Sequence, residues 1–259
     1  MEKTIFNLPF DQKTFIVFGS QQDRSIFQYI KANGYYENHI INLLKKIIGS
    51  KSVCLDIGAN IGLISLALSY LSPEGKVYSF EPSKKNFSYL VQTIKENHVT
   101  NINPINIGVY DQNKDMEFCN ISDGGGWSFV FNGTESITQP NEVVTCVRLD
   151  DWVQTEGIKK IDLIKIDTEG SEARVLRGAI NTIHNARPDV IVEFFPDKIS
   201  ENSGDNPEEL YKLLESIYPN IYFINRFDDS LVKPADYSHL IELIKPTVYG
   251  ELYCTFKSV

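Results

Sequence analysis

The sequence predicts an α/β domain built on a mostly parallel sheet, and three observations carry that expectation. Apolar runs of four to six residues, bounded by Gly or Pro, alternate with helical stretches of ten to fifteen. This is the mark of βαβ units, whose strands are buried on both faces and so read as unbroken apolar runs. Hydrophobic residues make up 42% and charged residues 23% of the 259, ordinary globular usage that argues against disorder, collagen or coiled coil. No linker rich in Pro, Gly or Ser, no internal repeat and no low-complexity tract divides the chain, so one decorated domain is the economical reading.

Residues 1–50 read as an N-terminal extension packed on the core. It holds a β segment over Thr14, Phe15, Ile16, Val17 and Phe18, then a helix near Tyr36 to Ile48 that stops at Gly49 and Ser50. The main domain, residues 51–259, opens with strand Val53 to Ile57, helix Ile61 to Leu71, strand Lys76 to Phe80 and helix Ser83 to Asn97. A third strand is expected over Ile102 to Tyr110. The alternation then breaks at an inserted Gly-rich region, residues 112–145, with β segments at Met116 to Ile121 and Val143 to Leu149. It resumes with strand Ile161 to Ile166, helix Glu172 to His184, strand Asp189 to Phe194 and helix Pro207 to Tyr218. Two late strands, Ile221 to Phe227 and Val248 to Phe256, complete the domain.

Charge and apolar runs exclude several roles. The formal net charge is −9 and no Lys/Arg cluster offsets it locally, which disfavours nucleic-acid and anionic-membrane partners, since both need phosphate neutralised by basic patches. No apolar stretch approaches the roughly 20 residues that span a bilayer. Met1 to Phe10 lacks the apolar segment of a cleaved signal, so a cytoplasmic location is expected. Cys54, Cys119, Cys146 and Cys254 have no metal-binding spacing and read as reduced thiols. His39, His98, His184 and His239 form no spaced ligand pair and read as helix-end or surface residues.

The most informative segment runs from Val53 through Asp56, Gly58, Asn60 and Gly62, with Glu81 at the end of the next strand. A strand, a tight turn and a helix start let backbone approach a ligand, and an acid about 20 positions on accepts hydrogen bonds from ribose hydroxyls. The glycine spacing departs from a dinucleotide fingerprint, because Asn60 and Leu63 stand where glycines are needed, and this disfavours NAD and FAD. Asp56 would repel a pyrophosphate but pair with an ammonium group, which favours S-adenosylmethionine.

Leu55–Gly62 (LDIGANIG), Ser79–Pro82 (SFEP), Leu163–Gly170 (LIKIDTEG) and Val192 with Glu193 together resemble the FkbM family of S-adenosylmethionine-dependent methyltransferases, over about residues 34–196. The resemblance implies a Rossmann-like class I methyltransferase fold: a mostly parallel seven-stranded sheet with helices on both faces. It also implies methyl transfer to oxygen on a sugar, a nucleotide-linked sugar or a small biosynthetic intermediate. Carried over by position, Asp56, Gly58, Asn60 and Gly62 shape the methionine end of the donor pocket, Glu81 holds the ribose, and Asn106 and Gly108 lie where adenine is contacted. Tyr36 and Glu37 resemble a short element that closes over the methionine moiety. The Gly124–Gly126 loop with Trp127 and Ser128 resembles a substrate lid.

In open α/β sheets ligands sit beyond the carboxyl ends of the strands, so Asp167 and Glu169 should reach the cleft. Lys165, in an apolar strand, needs a partner, and Glu193 at the end of the neighbouring strand is the expected one. Either these two form a structural ion pair, or Lys165, Asp167, Glu169 and Glu193 supply acid–base chemistry. Asp167, Glu169 and Glu193 also offer oxygens to Mg²⁺; the metal-free reading is preferred. Two further readings stay open: a binding protein that kept the fold without catalysis, and a nucleotide-dependent oxidoreductase.

Overall fold

The computed structural model of the protein describes residues 1–121, 128–131 and 139–258. The chain runs β1 (Glu2–Asn7), β2 (Thr14–Gly19), α1 (Phe27–Asn33), α2 (Asn38–Ile47), β3 (Val53–Ile57), α3 (Leu63–Leu71), β4 (Lys76–Phe80), α4 (Lys84–Glu96), β5 (Ile102–Ile105) and β6 (Gly108–Tyr110). It continues with β7 (Lys114–Cys119), β8 (Phe129–Val130), β9 (Glu142–Arg148), α5 (Leu149–Thr155), β10 (Leu163–Ile166), α6 (Glu172–Gly178), α7 (Ile180–Ala186) and β11 (Asp189–Phe194). The last elements are α8 (Pro196–Ser203), α9 (Pro207–Ile217), β12 (Asn220–Ile224), β13 (Leu231–Val232), α10 (Tyr237–Ile244) and β14 (Gly250–Thr255).

The main sheet has eight strands in the order β13-β12-β14-β11-β10-β3-β4-β5. From β11 to β5 every pairing is parallel, whereas β14 lies antiparallel between β11 and β12. The eighth strand is the two-residue edge β13, too short to register as a periodic apolar run.

Period-two alternation divides the sheet's side chains between two cores. Leu55, Ile57, Tyr78, Phe80, Ile164, Ile166, Val190 and Val192 pack against α5, α6, α7, α9 and α10. Cys54, Val77, Leu163, Ile191 and Tyr253 face the opposite side, covered by the β1–β2 hairpin and α1 to α4. Residues 1–50 contribute Phe6, Val17, Phe27, Ile30, Ile40 and Leu44, all fully buried, to this second core.

Several elements differ from the sequence expectation, each for a local reason. The strand expected over Ile102 to Tyr110 is two strands, because Asn106 turns the chain by donating its amide to the carbonyls of Glu81 (2.8 Å) and Pro82 (3.0 Å). β6 then leaves the main sheet to join β9, β7 and β8. The helix expected from Glu172 to His184 breaks at Ala179, where a β-carbon on Gly178 would overlap the Tyr110 carbonyl. α2 starts at Asn38, with Glu37 left-handed before it (φ 43°). All four cysteines are free and buried. Among the described residues, no helix is long and apolar enough to cross a membrane.

Candidate active site

The order of strands reverses at β3: β4 and β5 lie on one side of it, β10 and β11 on the other. Such a switch point opens a crevice at the carboxyl ends of the two central strands, where no crossover covers it. Here those ends carry Asp56-Ile57-Gly58 on β3 and Lys165-Ile166-Asp167 on β10, with Lys165 level with Asp56 in the register. The Asp167 amide continues the ladder onto the Ile57 carbonyl at 3.0 Å. Gly58 has φ 86°, and a β-carbon there would run into the Asp167 carbonyl, so only glycine lets the two strand ends approach this closely.

Beyond these ends lies a cavity of about 830 Å³, within the range of small-molecule sites. One wall is made by Asp56, Gly58, Asn60, Glu81, Pro82 and Gly108. Glu81, 4% exposed, is fixed by two backbone donors, the Asn60 N–H at 2.8 Å and the Ser83 N–H at 2.9 Å. Burial nevertheless pushes its carboxyl up to about 8. Asp56 accepts from Ser65 Oγ at 2.5 Å, and Ser65 in turn contacts Ser79 Oγ at 2.7 Å. Gly62 and Asn106 do not reach the wall. Gly62 caps α3 in the left-handed region (φ 95°), and Asn106 holds the turn that carries Glu81.

The floor is ionic. Alternation on β3, β10, β11 and β14 sends Asp56, Lys165, Glu193 and Glu251 to the same face of the sheet, toward α2. Lys165, 3% exposed, pairs with Asp167 and not with Glu193, correcting the expected ion pair; the carboxylate two residues on lies within its reach as the strand ends. Burial works against the Lys165 charge, but Asp167, Glu37 and Asp56 hold its pKa above the usual value. Glu193 stands directly opposite Glu251 in the β11–β14 register. Glu251 takes His39 Nε2 at 2.9 Å and Arg226 at 3.2 Å. His39 does stand in the first turn of α2, as the helix-end reading expects, but it is not a surface residue: it is 8% exposed, with Nε2 in hydrogen-bond contact with Glu251. Burial raises the carboxyls of Glu169 and Glu193 well above the ordinary range and pushes Glu37 up to about 7.

The remaining wall is aromatic. Tyr29, Tyr35 and Tyr36 line one edge, and Phe195 stacks on Tyr249 with ring centroids 5.3 Å apart. The Arg226 guanidinium covers Tyr249 at 4.3 Å. Ser128 reaches the cavity and accepts from the Ile121 N–H at 3.2 Å; Trp127 and Gly124–Gly126 lie outside the described residues. Of the residues expected from sequence, Tyr36, Glu37, Asp56, Gly58, Asn60, Glu81, Gly108, Ser128, Lys165, Asp167, Glu169 and Glu193 meet in this one cavity. Sequence reasoning missed Asn38, His39, Phe195, Arg226, Tyr249 and, just behind the wall, Glu251 and Glu172. The Glu172 carboxylate accepts from the Thr168 and Gly170 N–H groups (2.9 and 3.1 Å) and so shapes the loop bearing Glu169. A Glu two residues after a Gly at a helix start is the signal that could have found it.

The Methyltransferase FkbM domain matches residues 56–224, which takes in both strand ends and the floor carboxylates Asp56, Asp167, Glu169 and Glu193, with Glu37 and Glu251 outside it. The chain belongs to the FkbM methyltransferase family. It is 26% identical over 199 residues to the hexuronic acid methyltransferase AglP of Haloferax volcanii, covering 76% of each chain. To the 2-O-methyltransferase NoeI of Sinorhizobium fredii it is 28% identical over 162 residues, 57% of this chain and 64% of that one. The crystal structure of an FkbM methyltransferase from Methylobacillus flagellatus superposes with a TM-score of 0.51 at 18% identity, over 80% of this chain and 44% of that one. The FkbM chain is thus an S-adenosylmethionine-dependent methyltransferase with a class I fold. The wall has polar groups suited to such a donor: Asn38 Oδ1 is buried there without a hydrogen-bond partner, and the Glu81 carboxyl lines the cavity between the two turns it holds.

Proposed function

We propose that this FkbM chain moves a methyl group from S-adenosylmethionine to a hydroxyl oxygen of a sugar, a nucleotide-linked sugar or a small biosynthetic intermediate. One observation carries the reading. A single cavity joins the Gly58–Asn60–Glu81 wall, buried carboxylates at the ends of β10 and β11, and a rim of aromatic rings. Flat aromatic faces beside carboxylates suit a polyhydroxylated ring, whose C–H faces pack on the rings while its hydroxyls reach the acids. The named relatives act on a hexuronic acid and at a 2-O position, which supports the same acceptor class.

When bound, the donor supplies an electrophilic methyl carbon on a sulfonium. The chain's own residues do the rest. Glu81 accepts from the ribose hydroxyls, Asp56 and Glu37 receive the ammonium end, and Gly58 and Asn60 admit the backbone-side approach. Tyr36 closes over the methionine moiety, and Gly108 faces the base. Asp167, Glu169 and Glu193 would hold the acceptor oxygen toward the donor's methyl group, and such alignment would be the larger part of the rate. Carboxyls raised by burial toward neutrality are better matched to receive the proton the hydroxyl loses. Lys165 holds Asp167 in place through their ion pair. Net charge of −9 supports a small-molecule acceptor in the cytosol over nucleic acid or a membrane surface.

Incubation with methyl-labelled donor and a panel of free uronic acids, hexoses and nucleotide-linked sugars tests this. Label in an ether linkage on one of them is expected. Turnover of amine or carbon acceptors with every hydroxyl acceptor inert would overturn it.

A further inference from the structure

We infer that Asp167, Glu169 and Glu193 form a divalent-cation site of the Mg²⁺/Mn²⁺ class on the acceptor side of the cavity. One carboxylate oxygen from each lies within 4.8 Å of the others, close enough for one ion to touch all three. The second observation is independent of that clustering. Glu193 is 7% exposed, and its Oε2 is buried with no hydrogen-bond partner. A buried carboxylate oxygen left without a donor is costly, and native interiors rarely keep one without a ligand.

Lys198 and Lys165 bear on the Glu169 carboxyl, and the surroundings explain why Glu193 Oε2 has no hydrogen-bond partner among the described residues. Glu193 faces Glu251 across the β11–β14 ladder, and like charges at that spacing repel. Glu251 has absorbed both His39 and Arg226, and Lys165 is committed to Asp167. The donor's sulfonium brings a single positive charge, which is lost when the methyl leaves. Three hard oxygen donors match a hard cation, and with three of six octahedral positions filled the other three take water or acceptor oxygens. Glu169 sits left-handed at φ 55°, in the loop between β10 and α6.

The site's role rests on the proposed O-methyl transfer; the binding itself does not. A hydroxyl on the ion is more acidic than a free one. Its oxygen lone pair forms the new bond to the methyl carbon, the S–C pair returns to sulfur, and the proton passes to a carboxylate oxygen that the ion does not use.

The test is titration of the full chain with MnCl₂, with S-adenosylhomocysteine present, following free Mn²⁺ by paramagnetic resonance and unfolding by calorimetry. Saturable binding of one Mn²⁺ per chain is expected, weakened at least about tenfold in Glu193→Gln and Glu169→Gln. Homocysteine-product affinity should stay within about twofold in both variants. Glu193→Gln should melt no lower than the parent without metal, and Mn²⁺ should raise the parent's Tm but not the variant's. Absence of saturable Mn²⁺ binding, or equal binding in parent and both variants, would overturn the site whatever the enzyme methylates. Saturable binding lost in the variants establishes it even if no hydroxyl acceptor is turned over, a result that would fall on the acceptor assignment alone.

Discussion

Lys165 and Glu81 are two buried ionisable residues with different tasks. Lys165 is the cation nearest to Asp167, and removing it leaves a partly buried carboxylate exposed to its like-charged neighbours. Lys165→Met should lower unfolding stability by about 3 kcal/mol, at the low end for a broken buried pair because Asp167 keeps some contact with solvent. Urea unfolding measures it, and a loss under about 1 kcal/mol would mean that the Lys165–Asp167 pair adds little to the fold. Glu81 acts on backbone: it holds the N–H groups of Asn60 and Ser83, which belong to the turns after β3 and β4. Glu81→Ala should weaken S-adenosylhomocysteine binding by about tenfold, about 1.4 kcal/mol, the size of a lost hydrogen bond together with the turn geometry the carboxyl holds. Isothermal titration decides it; unchanged affinity would remove Glu81 from the donor site. Asp56→Ala carries a mixed effect, because Ser65 loses its acceptor as well as the ligand losing its anchor.

At the level of elements, α6 is where packing is least tolerant. Gly178 lies against the Tyr110 carbonyl, and Gly178→Ala should cost about 1–3 kcal/mol by overpacking, measurable as a lowered Tm. The same helix is tied to the α8–α9 junction by Asp205, which receives Arg174 at 2.8 Å and Arg177 at 2.7 Å. Burial would raise the Asp205 carboxyl, but these two guanidinium groups hold it below its ordinary value. A depressed folded pKa stabilises above the unfolded value and stops doing so as pH falls through the folded one. Asp205→Asn should therefore cost about 1 kcal/mol at neutral pH, and the gap to the parent should close in acid denaturation between about pH 5 and 3. β3, β4, β10 and β11 were legible in the sequence because both their faces are buried, which leaves unbroken apolar runs. α5, α8 and α10 were not: α8 reads PDKISENS, and only Pro196 at its first position marks a helix start. β1 was missed because it buries only one face thinly, with Phe6 its lone fully buried residue.

For the molecule as a whole, ligand binding and folding are linked through one cavity that draws walls from β3, β4, β10, β11, α2 and the segment after β12. S-adenosylhomocysteine at a hundredfold its Kd should stabilise the chain by about 2.7 kcal/mol and raise Tm by about 5–10 °C. No shift in differential scanning calorimetry would place the donor elsewhere. The strand-end half of the site could be read from sequence, since LDIGANIG, SFEP and LIKIDTEG are contiguous. The His39–Glu251 pair, 212 positions apart, and the Arg226–Tyr249 rim leave no local pattern, because they exist only once β14 is in place. That strand has a consequence for how the polypeptide is made. β14 is made after both of its neighbours, yet it fills the slot between β11 and β12. Until residue 255 has emerged, the apolar strand Asp189–Phe194 keeps a bare hydrogen-bonding edge, so closure of the sheet waits for β14. A stalled nascent chain would offer chaperones, or a neighbouring chain, that edge first.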